Sequence, residues 1–546
     1  MILKGFLKMI EFLCFYKRKS HIRKGYGIFN SDLLVRSRVL SLLQDLSEMQ
    51  IPLLEDVVHN KFWFVENCDI ELVLRQYLNK RLYRRVTLEI FASLGSGRNL
   101  IYPIPREVHY LFDKHNFKIN VFLCKVMWAL DSMLCFFYGI YLFFGILFEK
   151  LPDKNVIPDV SNSAFFVGFK DTNWPSSDYN ENIVTWFLAN YGRHYNINNA
   201  LLDQKLISNR CWTNENNRIQ SFPILSSLDF KDRCRFITQF SKLFYFAIIA
   251  MMKGNFWFAF IFSEIVLGLK IRNLRLNLLP RVYVFSNSFW LFRPYWTYFY
   301  TNFGGRIVMY FYSTNSKNIL SKDGKYFGEV GMKTLNFNDY IVWDTYQMNF
   351  LRLKVQDKSP NFFVVNGEVP YTSTKKVLNK PQVWLENKLV CTYFPVEPFE
   401  DNYLAACALP TDLYLAEKAI KALCNLVNVI NDLNGTLLVK TKREYSKHHS
   451  KKYIKLLRSL SSEKKIHLLG YDSHVESLCM NSTIVLGHPF TSAVKIANFS
   501  GVKCAYYSSD IEDLRFYKGY YDGISILSGE KELIDFIKAN LQFVNV

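Results

Sequence analysis

The sequence predicts an α/β protein built on parallel sheets, set behind a helical, apolar N-terminal region. Three observations carry that reading. From Ser163 to the C-terminus, short apolar runs alternate with segments of helical period, the pattern of a parallel sheet covered on both faces. Two apolar blocks, Met127–Phe148 and Leu243–Leu269, stand out in the first half. The 546 residues are too many for one core, so two domains plus an insertion are expected.

Met1–Tyr16 is moderately apolar but is interrupted by Lys4, Lys8 and Glu11 and followed by Lys17, Arg18, Lys19 and Arg23. No small-residue cleavage site closes it, which favours a short amphipathic helix over a secretory signal. Asp131 is the sole charge in Met127–Phe148, a block long enough to cross a bilayer. The second block is broken by Lys253, Gly254, Asn255 and Glu264 into pieces too short to span. A core helical hairpin or a shallow insertion fits it, near 235–275. Lys114, Lys118, Lys125, Lys150 and Lys154 flank the first block; Arg235, Lys242, Lys270, Arg272 and Arg275 flank the second. Basic flanks beside aromatic-rich segments suit an anionic membrane surface, so contact with the cytoplasmic face of the cytoplasmic membrane is expected. A long helix buried in a large core is the alternative.

Candidate strands are Phe165–Phe169, Arg281–Ser286, Arg306–Tyr312 after the Gly304-Gly305 turn, and Phe362–Val365 ended by Asn366-Gly367. They read as one sheet domain, about 155–380. The last third is clearer. Lys388–Phe394 is strand-like and stopped by Pro395 and Pro398. Thr411 or Asp412 begins a helix carrying Leu415, Ile420, Leu423, Val427 and Ile430 at helical spacing. Strands at Thr436–Val439, Ile466–Leu469, Thr483–Leu486 and Cys504–Tyr507 then alternate with helices at Ser450–Leu460, Val475–Met480, Thr491–Phe499 and Lys531–Leu541.

The formal net charge of +19 attracts polyanions, whether nucleic acid, lipid headgroups or phosphorylated substrates. No recognition helix, RNP-like motif or zinc module supports nucleic acid as the partner. The eleven cysteines form no CxxC pair and read as buried free thiols in a reducing compartment. No Walker motif is present, and Gly95-Ser96-Gly97 lies outside a strand–helix context. Asp69-Ile70-Glu71 and Asp510-Ile511-Glu512 are poor metal clamps, and His448-His449 lacks acidic or Cys partners at ligand spacing. No metal or bound cofactor is expected.

In a parallel sheet, ligands bind beyond the carboxyl ends of the strands. Two such ends carry unusual residues. Val439 is followed by Lys440, Thr441, Lys442 and Arg443, three cations on one turn that suit an anion. Leu486 is followed by Gly487, His488, Pro489, Phe490, Thr491 and Ser492, then by a helix. Gly487 permits a tight turn, and Thr491 and Ser492 fall at the helix start, where backbone N–H groups and the dipole favour a phosphate. Their hydroxyls can cap the helix or bond the same phosphate, and a protonated His488 would add a charge-assisted bond.

The stretch LGHPFTSAVKIANFSGVKCAYYSS resembles the signature of the polysaccharide-biosynthesis proteins named for their Pro-Phe-Thr-Ser motif, here Pro489-Phe490-Thr491-Ser492. LLVKTKRE, RPYWTYFYTNFGGRIVMYFYSTN and KLVCTYFPVEP resemble the same family, in the same order. The resemblance implies a GT-B-like fold of two Rossmann-like domains. The helical apolar region would take 1–154, an acceptor domain 155–384 with the apolar insertion, and a nucleotide-sugar domain 385–546. It further implies a metal-independent glycosyltransferase of capsule or O-antigen synthesis, moving a sugar (in the family's functional analogues a nonulosonic acid from a CMP donor) to a growing or lipid-linked glycan. By position, Lys440, Lys442 and Arg443 with Thr491 and Ser492, and His488 beside them, would hold the donor phosphate. Ile496 stands where UDP-sugar enzymes offer the ribose a Glu, which favours CMP. An inverting enzyme needs a base, for which Asp171, Asp178 and Glu397 are the candidates. A polyol-phosphate transferase and a non-catalytic membrane scaffold are the alternatives.

Overall fold

The computed structural model describes residues 20–49, 70–82, 85–150, 160–169, 182–203, 211–213, 218–286, 292–314, 319–320, 326–327, 332, 334–355, 360–367, 389–396, 398–400, 415–446, 449–510 and 523–541. Two parallel sheets organise them. The first contains β1 (Ser163–Val167), β2 (Asn199–Asp203), β3 (Cys211–Thr213), β4 (Arg218–Phe222), β5 (Val282–Ser286), β6 (Arg306–Tyr310), β9 (Asp339–Val342) and β10 (Asn361–Val364). Its order is β10-β9-β6-β5-β1-β2-β4-β3, parallel throughout except where β3 joins β4. Between β6 and β9, β7 (Ile319–Leu320) and β8 (Tyr326–Phe327) form a separate antiparallel pair.

The second sheet contains β11 (Val390–Phe394), β12 (Thr436–Lys440), β13 (His467–Leu469), β14 (Ile484–Gly487), β15 (Cys504–Ser508) and β16 (Ser525–Ser528). Its order is β13-β12-β11-β14-β15-β16, all parallel. Each chain segment winds outward in one direction from its first strand, then returns and winds outward in the other. That is the Rossmann-like order, with a crevice where the direction reverses: between β1 and β5 in one sheet, and between β11 and β14 in the other.

The central strands are apolar at every position because both faces are covered: β1, β5, β11 and β12 are buried throughout. Strand alternation then sorts their side chains into separate cores. Phe165, Val167, Tyr283, Phe285, Ile307 and Met309 join one core, while Ala164, Phe166, Val282, Val284, Val308 and Tyr310 join the next.

The first of these cores also holds the N-terminal helices, so the apolar first region is a layer on one face of the first sheet. Its main helices are α1 (Leu33–Glu48), α2 (Ile70–Leu82), α3 (Arg85–Ser96) and α4 (Val121–Leu147). After β1 comes α5 (Ile183–Ala189), and the crossover from β4 to β5 is a hairpin of α6 (Phe230–Met252) and α7 (Trp257–Asn273). The hairpin turns at Gly254, whose φ of +77° suits glycine. Both helices are longer than the short pieces expected of the broken apolar block. α6 starts before the apolar block, where the Asp229 side chain caps it by accepting from the Asp232 N–H at 2.8 Å. α7 is buried along nearly its whole length, beneath α4. The contact is close at Gly139, where an added Cβ would lie 2.4 Å from Phe262 Cδ1. Asp131, the lone charge of the first apolar block, is paired with the Arg81 guanidinium of α2 at 2.5 and 3.0 Å.

Two further helices follow in this domain, α8 (Trp296–Thr301) in the aromatic connection and α9 (Thr345–Arg352) after β9. Around the second sheet lie α10 (Ala416–Asp432), α11 (Lys451–Ser462), α12 (Val475–Met480), α13 (Ser492–Phe499) and α14 (Gly529–Leu541). The expected cap at Thr411 or Asp412 lies outside the described residues; α10 follows Leu415 directly. β2, β4, β9 and β16 were not legible as strands. β2, β4 and β16 each mix polar and apolar residues, and β9 is short and opens on the charged Asp339. The expected organisation holds at the level of class: two Rossmann-like sheets with a helical, apolar N-terminal region.

Candidate functional site

β14 delivers the chain to the crevice of the second sheet. Gly487 pairs with Phe394 at the end of β11, and the His488 N–H donates to the Phe394 carbonyl at 2.9 Å. The loop from Gly487 to Ser492 is therefore built at the reversal point, where a parallel sheet binds its ligand. Its geometry is tight. A Cβ on Gly487 would lie 2.3 Å from Val494 Cγ2 and 2.5 Å from Thr491 Cγ2, so only glycine fits. Phe490 has φ +68°, a left-handed conformation that a bulky side chain adopts only at a cost of about 1–3 kcal/mol. The turn closes through the Thr491 N–H donating to the His488 carbonyl at 3.1 Å. Thr491 then precedes α13 as its N-cap in extended conformation, without a side-chain capping bond. Helix capping accordingly does not occupy its hydroxyl.

Gly487→Ala tests this loop. We expect roughly 1–3 kcal/mol of destabilisation from overpacking. A loop displaced by about 1 Å should also lose roughly 100-fold in any reaction it positions. Denaturant unfolding and turnover of the same preparation measure the two effects.

Ser492 faces the first domain. Its Oγ accepts from the Thr314 N–H at 3.1 Å and lies 3.3 Å from Thr314 Oγ1. Thr314 sits just beyond the carboxyl end of β6. One helical turn on, Lys495 Nζ reaches Asp344 Oδ2 at 2.5 Å, and both side chains are buried, at 3% and 12% exposure. Asp344 sits just beyond β9 and caps α9, accepting from the Gln347 N–H at 2.7 Å. Gln347 in turn donates to the Ser313 carbonyl at 2.9 Å, so the ends of β6 and β9 form one platform. Phe499, one further turn along α13, approaches Trp343 with ring centroids 6.4 Å apart. Ser492, Lys495 and Phe499 thus share one face of α13 at i, i+3 and i+7. That face docks on the strand ends of the first sheet, while Val494 and Ala497 are fully buried. The carboxyl edges of both sheets meet at the motif.

The sequence singled out nine residues, and the structure places six. Lys440 ends β12, two strands from β14 and so roughly 10 Å away across the sheet. Its side chain is buried, and Nζ donates to the carbonyls of Thr441 and Tyr471 at 3.0 Å each, which ties the turn to the loop after β13. Lys442 and Arg443 are exposed on that turn. His488 is buried at 2% exposure, and Thr491 and Ser492 are half-buried at the crevice. Asp171, Asp178 and Glu397 lie outside the described residues. Ile496 is buried in the core shared with the first sheet, so no side chain there would be open to a ribose. Its being apolar therefore carries no information about the nucleotide. The sequence reading missed Asp344, Lys495 and Thr314. The available signal was Lys495 itself, a cation inside the apolar run Ala493–Ala497 and one turn from Ser492. Among the described residues no group of acidic, His and Cys side chains could hold a metal ion.

The fold and this loop define a class: a two-sheet α/β protein whose Pro-Phe-Thr-Ser loop leads into a helix docked on the strand ends of the other sheet. Residues 242–537, more than half of the chain, match the family model described as polysaccharide biosynthesis PFTS motif protein. The chain belongs to that family. No curated protein matches the sequence. Among solved structures, the chain is similar to Anabaena HepE in complex with UDP-glucose, at 10% identity and TM-score 0.35, over 70% of this chain and 90% of that one. It is similar to the spinosyn forosaminyltransferase SpnP at 11% identity and TM-score 0.32, over 70% and 90%. It is also similar to Methanocaldococcus jannaschii UDP-GlcNAc 2-epimerase in complex with UDP-GlcNAc and UDP, at 12% identity and TM-score 0.30, over 52% and 74%.

Proposed function

We propose that this protein is a glycosyltransferase of bacterial surface polysaccharide synthesis, taking a sugar from a nucleotide donor to a growing glycan of capsule or O-antigen type. The observation that carries the reading is the position of the Pro-Phe-Thr-Ser loop. It stands at the reversal point of a Rossmann-like sheet, opens a helix, and faces the strand ends of a second such sheet. A helix start there can neutralise the charge that develops on a departing phosphate. The first-turn N–H groups of α13 and the hydroxyls of Thr491 and Ser492 would meet the donor phosphate. Lys442 and Arg443, exposed on the neighbouring turn, would meet further negative charge. Lys440 would act beneath them by fixing that turn.

The donor we favour is a CMP-linked nonulosonate. With Ile496 buried, this rests on charge: a single phosphate plus the sugar carboxylate would satisfy one helix start and two exposed cations. The test is a thermal-shift panel of CMP, UDP, GDP and ADP at equal concentration. At a hundred times its dissociation constant, the preferred nucleotide should stabilise the protein by about 2.7 kcal/mol. Release of CMP from an activated nonulosonate should then require acceptor glycan. Preference for UDP would reject the acidic-sugar donor and keep the transferase. Indifference to all four nucleotides would reject the transferase and favour a scaffold.

A further inference from the structure

α4 is apolar on two opposite sides. Cys124, Trp128, Phe136, Gly139, Phe143 and Ile146 are buried, and they run from the first turn of the helix to its last. Opposite them, Phe122, Leu130, Phe137, Tyr141, Phe144 and Phe148 are exposed, and with Val126 and Met133 they recur every three or four residues. Phe122 is 73% exposed, Tyr141 67% and Phe148 77%. A helix that is hydrophobic all round needs cover on both sides, and an exposed apolar patch of this size marks an interaction surface. α6 continues the surface along its C-terminal half: Phe240 stacks on Phe143 at 3.7 Å between centroids, and Phe244, Tyr245 and Met252 are exposed.

We infer that the outer faces of α4 and α6 lie flat in the headgroup–acyl boundary of an anionic lipid bilayer, in its plane and without crossing it. α4 is roughly 40 Å long and α6 roughly 35 Å, each long enough to span. However, the buried side of each helix rests on the folded domain from end to end. α7 lies directly beneath both, and beneath α7 lie α2, α8 and the first sheet. A crossing helix would have to draw that packed layer, with Asp131–Arg81 and Lys270–Glu149, into hydrocarbon. Lying flat exposes only the apolar stripe to lipid, as an interfacial helix does.

Charge selects lipid over a second copy of the chain. Exposed cations rim the surface: Lys118 and Lys125 at one end of α4, Lys150 beyond the other, and Lys231 and Lys253 at the two ends of α6. The acids on these two helices and at their ends are engaged, Asp131 by Arg81, Glu149 by Lys270, Asp229 by Arg275 and Asp232 by Arg235. Two copies meeting here would oppose cation to cation, whereas anionic headgroups neutralise the rim.

Flotation of the full-length protein with vesicles tests the inference. Vesicles of phosphatidylcholine with phosphatidylglycerol should carry the protein upward, and phosphatidylcholine alone should bind about tenfold less. The Phe137→Glu/Tyr141→Glu variant should bind about tenfold less to both, with unchanged thermal stability. Lys118→Glu/Lys125→Glu leaves the stripe intact and should lose only the preference for anionic lipid. In sealed inside-out vesicles from expressing cells, an impermeant amine reagent should label Lys118 and Lys150 alike. Labelling of one alone would show that α4 crosses. Failure of the unmodified protein to float overturns the inference, most directly if light scattering finds a dimer that Phe137→Glu/Tyr141→Glu dissociates.

Discussion

Replacing Lys495 with methionine is expected to destabilise the protein by about 3–5 kcal/mol, the usual cost of leaving a buried charge without its partner. The Lys495 ammonium is 2.5 Å from Asp344 and both side chains are largely removed from water. Deleting the cation leaves a carboxylate sealed between the two sheets. Asp344→Asn should cost a similar amount by stranding the ammonium, although Asn can still cap α9. The double variant, Asp344→Asn with Lys495→Met, removes both charges and should recover most of the loss. Urea unfolding of the four proteins closes the cycle. A double variant as unstable as the sum of the singles would show that the two residues act separately. The pair also seats α13 against the platform formed by β6 and β9. The singles should therefore lose transfer activity beyond their unfolded fraction, and the double should regain less activity than stability.

That pair also shows where the sequence could be read and where it could not. The second sheet was legible from β11 to β15 because those strands are short, apolar and punctuated: Gly435 before β12, Gly487 ending β14, Gly501 before β15. The loop at Gly487–Ser492 stood out because its residues exceed what a turn needs. β2 and β4 were not legible, since strands near a sheet edge carry polar side chains such as Asn199, Arg218 and Gln220. Lys440 was misleading in a different way. Three cations on one turn look alike in sequence, but strand alternation and the loop after β13 turn one inward onto the carbonyls of Thr441 and Tyr471. Asp344 could not be connected to the motif at all, because 151 residues separate it from Lys495. Contacts between domains leave no periodic trace in either partner. The apolar N-terminal region was legible as apolar, but its division into a buried and an exposed side of α4 was not. Ser132 apart, both sides carry apolar or small residues, so the period is hidden.

Ser492→Ala is expected to separate stability from turnover. In the structure the hydroxyl accepts from the Thr314 N–H at 3.1 Å. That bond joins the domains at a half-buried position, and a single neutral hydrogen bond contributes about 0.5–1.5 kcal/mol. Loss of the hydroxyl should therefore leave the protein folded, with a midpoint only slightly lowered. Turnover should fall much further, by roughly 10²–10³-fold, if the same hydroxyl turns to the departing phosphate during the reaction. Such a contact strengthens as charge develops on the leaving group, so kcat should fall while KM for the donor changes little. Thr491→Val is the companion variant. The Thr491 hydroxyl does not cap α13, so its loss should change stability by less than about 1 kcal/mol. Any larger effect on turnover would report phosphate contact. Steady-state kinetics with saturating acceptor, beside urea unfolding of the same preparations, distinguishes the outcomes. If Ser492→Ala costs its hydrogen bond in stability yet keeps kcat within about threefold, the hydroxyl is an interdomain tie alone. The donor phosphate would then have to be sought at the exposed Lys442–Arg443 turn.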